Sequence, residues 1–105
     1  LVKQTIAYIQ QNYARRLARS QIAQVVGVSE DYLGRIFQQE LGLSPIEYLN
    51  RYRIKEAKTL LAHTGASVTD IAAKVGFEDP AYFSRAFRKQ VGLSPRAFRD
   101  QSVQP

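Results

Sequence analysis

Two arginines occupy equivalent positions in the two halves of this 105-residue chain, and both could recognise a planar set of hydrogen-bond acceptors. Arg35 and Arg85 each follow a tyrosine by three residues, Tyr32 and Tyr82. A guanidinium can donate two hydrogen bonds to the O6 and N7 atoms of guanine, and a glutamine such as Gln38 can pair similarly with adenine. The chemistry that these residues favour is therefore recognition of base edges.

Groups suited to catalysis or metal binding are scarce. The chain has one histidine and no cysteine. His63 lies at the predicted carboxyl end of a helix, where a cation is favourable, and Glu78 and Asp79 precede another helix, where negative charge is favourable. Because these residues have ordinary structural explanations, we expect no enzyme activity, no catalytic residue, no metal site and no cofactor.

An internal repeat supplies the elements that position the two arginines. Residues 21–51 match residues 70–101 at a shift of 49, which becomes 50 after one inserted residue. Each copy predicts a short helix, a glycine turn and a longer helix, which is the pattern of a helix-turn-helix. The matching positions include Ile22-Ala23 and Ile71-Ala72, Val26-Gly27 and Val75-Gly76, Phe37 and Phe87, and Gly42-Leu43-Ser44-Pro45 and Gly92-Leu93-Ser94-Pro95.

Hydrophobic spacing and helix-end residues predict an all-α chain of seven helices. No segment alternates apolar and polar residues as a strand would. The start of the second helix stays open, because Ala18 cannot accept a hydrogen bond where its counterpart Ser67 can, and Ser20 could cap a shorter helix. The predicted helices cover about residues 2–13, 20–26, 30–41, 45–62, 67–76, 80–91 and 95–100.

The predicted organisation is two helix-turn-helix subdomains joined by a long linker helix. We expect the first subdomain at residues 1–43, the linker helix at 44–63, the second subdomain at 64–101 and a disordered tail at 102–105. Arg53 lies within the apolar stripe of the linker helix, where an unpaired charge is costly. We expect it to link the two halves by pairing with a carboxylate or with helix-end carbonyls.

The third and sixth helices have amphipathic faces that divide a buried side from an outer side. The buried side is predicted to hold Leu33, Ile36, Phe37 and Leu41 in the third helix and Phe83, Ala86, Phe87 and Val91 in the sixth. From the outer side we expect base contacts by Asp31, Gly34, Arg35, Gln38, Ala81, Tyr82 and Arg85, and phosphate contacts by Gln39, Ser84, Arg88 and Lys89.

The two outer faces differ in charge. Among the four outermost residues, Asp31 offsets Arg35 in the third helix, whereas the sixth helix carries three positive charges. We expect the second unit to supply more attraction to phosphate. Asp31 would repel phosphate unless it accepts from a cytosine amino group or pairs with Arg35.

The spacing of the two units can be estimated from the linker helix. At 1.5 Å per residue, residues 45–62 form a helix about 27 Å long. That length is close to the roughly 34 Å repeat of B-DNA, so both recognition helices could enter successive major grooves on one side of a duplex.

The overall composition limits the partner and the compartment. A formal charge of +6 favours a polyanionic partner. The absence of cysteine fits a reducing cytoplasm, and no apolar run approaches the roughly 20 residues of a membrane span. Methionine is absent even at position 1. We therefore expect a fragment of a longer cytoplasmic protein that lacks its sensor or receiver domain and does not contact a membrane.

A pattern spread over the second half of the chain resembles the signature of the AraC/XylS family of bacterial transcription regulators. The resemblance extends over nearly the whole chain and implies a seven-helix DNA-binding domain, usually the C-terminal part of a larger regulator. Double-stranded DNA and RNA polymerase are the implied partners. The residues that carry it are Gly76-Phe77, Tyr82-Phe83-Ser84-Arg85, Phe87-Arg88-Lys89, Gly92, Pro95 and Phe98-Arg99.

By position, the resemblance places the base-reading residues of the two units at Asp31, Gly34 and Arg35, and at Pro80, Ala81 and Arg85. For Gly34 and Ala81, which lack polar side chains, contact with a thymine methyl or recognition of DNA shape is the remaining role. The alternatives are a module that binds only protein and an RNA-binding domain. Duplex DNA binding differs from the first in its steep dependence on salt, and the chain lacks the aromatic-bearing sheet typical of the second.

Overall fold

The computed structural model of the chain describes residues 1–102, which form seven α-helices and no strand. The predicted all-α fold is confirmed, and each predicted helix is present with its ends within two residues of the expected positions. The helices are α1 (Val2–Asn12), α2 (Arg19–Val26), α3 (Glu30–Leu41), α4 (Pro45–His63), α5 (Val68–Lys74), α6 (Pro80–Val91) and α7 (Pro95–Ser102).

Local hydrogen bonds explain where the helices begin. Ser44 Oγ accepts from the Glu47 amide at 3.1 Å while Glu47 Oε1 accepts from the Ser44 amide at 2.9 Å, which is a reciprocal capping box. At α2 the cap residue is Ala18, whose side chain has no acceptor. Gln21 Oε1 instead accepts from the Ala18 amide at 2.9 Å, so the helix begins at Arg19 without a cap from Ser20.

The end of α7 differs from the predicted domain limits. Ser102, where we expected a disordered tail to begin, is the last residue of the helix, and its hydroxyl donates to the Phe98 carbonyl at 2.9 Å. The remainder of that tail, residues 103–105, lies outside the described residues. Arg99 joins α7 to the end of α4 by donating to the carbonyls of Leu61 and Thr64 at 3.1 and 3.2 Å.

Each helix-turn-helix unit packs around its own apolar core, and α4 contributes to both. The first core consists of Val2, Ile9, Leu17, Ile22, Ala23, Leu33, Phe37 and Leu49. The second consists of Ile54, Ala57, Leu61, Ile71, Ala72, Val75, Phe77, Phe83 and Phe87. The linker helix therefore leaves the first core after Leu49 and enters the second at Ile54, which puts Arg53 between them.

One residue predicted to be buried on α3 or α6 is exposed. Leu41 is 38% exposed, because it is the last residue of α3 and lies a turn beyond Phe37, where the core ends. Leu33, Phe37, Phe83 and Phe87 are buried as expected, and the other predicted core positions on these two helices are half-buried.

Arg53 links the two units. Its Nε donates to the Tyr13 carbonyl at 2.8 Å, and its Nη2 donates to the Arg15 carbonyl at 2.9 Å. Both carbonyls follow the end of α1, whereas the guanidinium also lies 5.5 Å from the ring centroid of Phe77 in the second unit. Burial lowers the pKa of Arg53 from its ordinary value. The predicted link is confirmed, and of the two expected partners it uses the carbonyls.

The turn of the second unit approaches this link closely. Gly76 has φ +104, and a Cβ there would lie 2.7 Å from Arg53 Nε and would overlap the Tyr13 carbonyl. Its counterpart in the first unit, Gly27, has φ +78 but no described atom within 4 Å of an added Cβ. The turn of the first unit therefore needs glycine only for its positive φ. The turn of the second unit needs glycine for its positive φ and for the space that a Cβ would fill.

Further contacts at this junction come from the end of α1. The Tyr13 hydroxyl donates to Glu56 at 3.4 Å, and the Tyr13 ring meets Tyr52 edge-on at 5.0 Å. Burial, followed by the charge of Glu56, raises the pKa of Tyr13. The resulting molecule is elongated, with extents of 48 × 23 × 21 Å.

Substitution of the two equivalent glycines should separate backbone strain from overpacking. Gly27→Ala should lower the free energy of unfolding by about 1–2 kcal/mol, the cost of a left-handed non-glycine residue. Gly76→Ala should cost a further amount of about 1–3 kcal/mol, because its Cβ meets packed atoms. Equilibrium urea denaturation measures both, and equal losses would contradict the close approach at Gly76.

Removal of the Arg53 hydrogen bonds should destabilise the fold. Arg53→Met keeps much of the side-chain volume but leaves two carbonyls without their charged donor, and should cost about 2–3 kcal/mol. The matched control is Arg51→Met on the same helix, because Arg51 is exposed and should change stability by less than about 0.5 kcal/mol. Similar denaturation midpoints for the two variants would refute the linking role of Arg53.

Candidate nucleic-acid interface

The residues predicted to contact DNA all lie on the outer sides of α3 and α6. Most of them are exposed, and Gly34 and Ser84 are half-buried. Each of the ten residues 31–40 is in the same burial class (buried, half-buried or exposed) as the residue 50 positions later in 81–90. The two helices therefore present the same surface pattern to solvent.

Buried side chains on the opposite sides of the helices hold these faces outward. Leu33 and Phe37 anchor α3 in the first core, and Phe83 and Phe87 anchor α6 in the second. Each pair is separated by one helical turn, so it fixes the rotation of its helix about the long axis. The orientation of each outer face thus follows directly from its core.

A tyrosine supports the arginine on each face. Arg35 Cζ lies 5.9 Å from the ring centroid of Tyr32, and Arg85 Cζ lies 6.0 Å from that of Tyr82. Such cation–π contacts hold a guanidinium in a preferred orientation. Tyr32 was not among the residues predicted to form the site, although its spacing from Arg35 is evident in the sequence. The recurrence of tyrosine three residues before arginine, a spacing that places both on one helical face, is the signal that could have identified its role.

Asp31 is not neutralised by Arg35. Within residues 1–102 the ion pairs join Arg16 to Glu78 and Arg19 to Glu30, each at 3.5 Å. Arg35 instead stacks on Tyr32. Of the two alternatives predicted for Asp31, the pairing with Arg35 is therefore absent from the structure.

A cationic groove of about 660 Å³ lies between the exposed edges of α4 and α6. Arg51, Arg85 and Lys89 line it with a single acid, Glu47. The hydrogen bond from the Ser44 amide is the main cause that lowers the pKa of Glu47, and the charges of Arg51 and Lys89 lower it further. Arg51 was not among the predicted contacts, because its position in this groove depends on the packing of α6 against α4.

The groove beside α3 is different in charge. Arg19 and Arg35 line it together with Glu30 and Asp31, so its formal charges cancel. The grooves therefore repeat the difference in charge that the outer faces show. The surface around α6 is better suited to attract phosphate, whereas that around α3 offers hydrogen-bonding groups of both signs.

His63 and Asp79 lie at the helix ends where they were predicted. His63 is the last residue of α4, and Asp79 Oδ1 caps α6 by accepting from the Ala81 amide at 2.9 Å. No group of acidic, histidine or cysteine side chains within residues 1–102 could hold a metal ion. In the same residues, no helix has the length and apolarity required to cross a bilayer.

Comparison with known proteins identifies the family. A family model described as a helix-turn-helix domain matches residues 22–101. The transcriptional activator RhaS of Enterobacter sp. (strain 638) is 40% identical over a 106-residue alignment that covers 98% of this chain and 38% of that protein. An AraC-type transcriptional regulator from Chromobacterium violaceum has 33% identity and a TM-score of 0.88 over 98% of this chain and 92% of that chain. The chain belongs to the AraC/XylS family.

Two further solved structures of this type resemble the chain closely. The C-terminal domain of AraT, a response regulator from Geobacillus stearothermophilus, has a TM-score of 0.90 and 37% identity over 95% of this chain and 84% of that chain. The DNA-binding domain of AdpA, solved with a target DNA, has a TM-score of 0.89 and 26% identity over 95% of this chain and 90% of that chain.

The family assignment confirms the predicted class of function. The chain is a helix-turn-helix DNA-binding domain of a family of transcription regulators, which is not a family of enzymes. It spans about a third of the length of the curated relatives it matches. Which side chains contact bases and which contact phosphate stays a prediction.

The predicted phosphate contacts of α6 can be tested through salt. Arg88→Ala and Lys89→Ala should each weaken binding to all duplexes and reduce the slope of log K against log salt by about 1. The control is Lys74→Ala, because Lys74 lies beside Glu56 and Thr59 on the other side of α4 from the cationic groove. An unchanged slope for the α6 variants would remove them from the phosphate contacts.

Proposed function

We propose that the chain binds double-stranded DNA in a sequence-specific manner, with α3 and α6 in two successive major grooves on one side of the duplex. The observation that carries the proposal is the duplicated outer face, with the same burial pattern and the same tyrosine-supported arginine on both helices. The 48 Å length of the molecule accommodates two contacts separated by the B-DNA repeat of about 34 Å.

The base contacts that we propose differ between the units. Arg35 and Arg85 each donate two hydrogen bonds to guanine, and Gln38 pairs with adenine. Asp31 accepts from a cytosine amino group, the alternative that its lack of a partner among residues 1–102 leaves in place. The smaller or partly apolar residues on the faces contact thymine methyls or respond to DNA shape, and these are Gly34, Pro80, Ala81 and Tyr82.

The phosphate contacts that we propose are concentrated on the second unit. Arg88 and Lys89 supply charge, and Ser84 and Gln39 supply neutral hydrogen bonds. We add Arg51, because it lines the cationic groove together with Arg85 and Lys89. In this arrangement α6 contributes more of the salt-dependent affinity, and α3 depends more on matched hydrogen bonds.

We infer that the chain is the DNA-binding part of a longer cytoplasmic regulator, with a sensor or receiver domain elsewhere and RNA polymerase as a second partner. Support comes from relatives about three times as long that are named transcriptional activators, and from the response regulator AraT, whose C-terminal domain has the same fold.

A selection of bound duplexes from a random pool is the decisive experiment. The 105-residue chain should enrich sequences that contain two half-motifs whose centres lie about 10–10.5 base pairs apart, one helical turn of DNA. A single half-motif would contradict simultaneous use of both helices. No enrichment, combined with salt-insensitive capture of a protein, would favour the protein-interaction alternative.

The two arginines should carry much of the specificity. Arg35→Ala and Arg85→Ala should each weaken binding to the selected duplex by about 1–3 kcal/mol, with little loss on random DNA, because a bidentate contact to a base edge is specific. Competition titrations at fixed salt measure both affinities. Equal losses on the two kinds of DNA would show that these arginines contact phosphate instead.

A further inference from the structure

The Tyr82 ring, on which Arg85 stacks, is hydrogen-bonded to the linker helix. Asn50 Nδ2, in α4, donates to the Tyr82 hydroxyl, in α6, at 2.9 Å. Tyr82 also packs against Phe77, with ring centroids 5.8 Å apart, and Phe77 in turn contacts Arg53 at 5.5 Å. The ring is thus held at its hydroxyl by the linker helix and at its side by the junction between the units.

The equivalent ring of the first unit lacks this support. Tyr32 and Tyr82 are 43% and 44% exposed, so their access to solvent is the same. Yet within residues 1–102 no hydrogen bond reaches the Tyr32 hydroxyl and no other aromatic ring packs against Tyr32. Arg35 therefore stacks on a ring that only α3 holds. Arg85 stacks on a ring that is held by α6, by Asn50 of α4 and by Phe77 in the turn between α5 and α6.

We infer that Asn50 is a positioning residue for DNA specificity, which acts on Arg85 through the ring of Tyr82. This inference rests on the proposed function and assigns a role to a linker residue that does not need to touch a base. A guanidinium held in one orientation loses less freedom on binding and can match fewer base geometries. The base that Arg85 contacts in the α6 half-motif is therefore more strictly specified than the base that Arg35 contacts in the α3 half-motif.

The role in specificity can be separated from a role in folding. The Asn50–Tyr82 hydrogen bond is exposed and lies outside both cores. An exposed hydrogen bond exchanges readily for bonds to water, so its loss changes stability little. Tyr82→Phe is the least disruptive change, because it removes one oxygen and retains both the ring and its stacking on Arg85.

The test is a random-duplex selection carried out with the native chain, Asn50→Ala and Tyr82→Phe. In each variant the base preference in the α6 half-motif should fall by about twofold to threefold, because an exposed hydrogen bond contributes at the low end of the range for one hydrogen bond. The α3 half-motif should be unchanged. The selection profile of Arg85→Ala identifies which half-motif belongs to α6. Because both variants break the same bond, the double variant should be no worse than either single one.

The chain offers a matched control. Gln10 Nε2 donates to the Tyr48 hydroxyl at 3.0 Å, which is the same amide-to-phenol bond but joins α1 to α4, on a ring that supports neither Arg35 nor Arg85. Gln10→Ala and Tyr48→Phe should leave the base preferences of both half-motifs unchanged. Thermal denaturation should show that all four single variants remain folded.

The outcomes distinguish this inference from the proposed function. If the native chain selects a two-part motif and Asn50→Ala and Tyr82→Phe leave the α6 half unchanged, the inference is overturned while the proposed function stands. Equal losses in both halves would also overturn it, because they would indicate a general effect on the fold. A native chain that enriches no two-part motif overturns both.

Discussion

The paired hydrogen bonds from Arg53 to the carbonyls of Tyr13 and Arg15 are the contact on which the rest of the structure depends. The two helix-turn-helix units have separate apolar cores, and an apolar stripe alone would not define how one unit lies relative to the other. A buried guanidinium requires several acceptors in fixed directions, so it specifies one geometry. Gly76 permits that geometry by leaving room for the guanidinium.

The repeat produces two surfaces with the same pattern of burial, and their different charges indicate different contributions to DNA affinity. Both recognition helices have the same pattern of burial and a tyrosine-supported arginine. The surroundings differ, since the groove at α6 is cationic and that at α3 has cancelling charges. Because phosphate attraction falls with salt and base matching falls much less, the two units would contribute unequally as ionic strength changes.

The elements could be predicted because their signals are local. Serine caps, glycine turns and prolines at the first helical position act within a few residues, and the predicted helix ends lie close to the observed ones. The error at Leu41 arose because its exposure depends on where the first core ends, which no local signal gives. The start of α2, which the sequence left open, was decided by a local contact, in which Gln21 accepts from the Ala18 amide.

The residue types and their repeat were enough to predict the all-α fold and two outer faces whose side chains suit DNA, because helix periodicity and hydrogen-bonding chemistry belong to the sequence itself. The resemblance carried by particular residues of the second half indicated the family. The need for a partner at Arg53 was also evident, because a charge in an apolar stripe must be satisfied. Only the tertiary structure decided that the carbonyls of Tyr13 and Arg15 satisfy it, that Arg51 enters the groove with Lys89, and that Asn50 reaches Tyr82. These contacts join residues more than 30 positions apart, and the packing of helices around α4, which no local pattern encodes, brings them together.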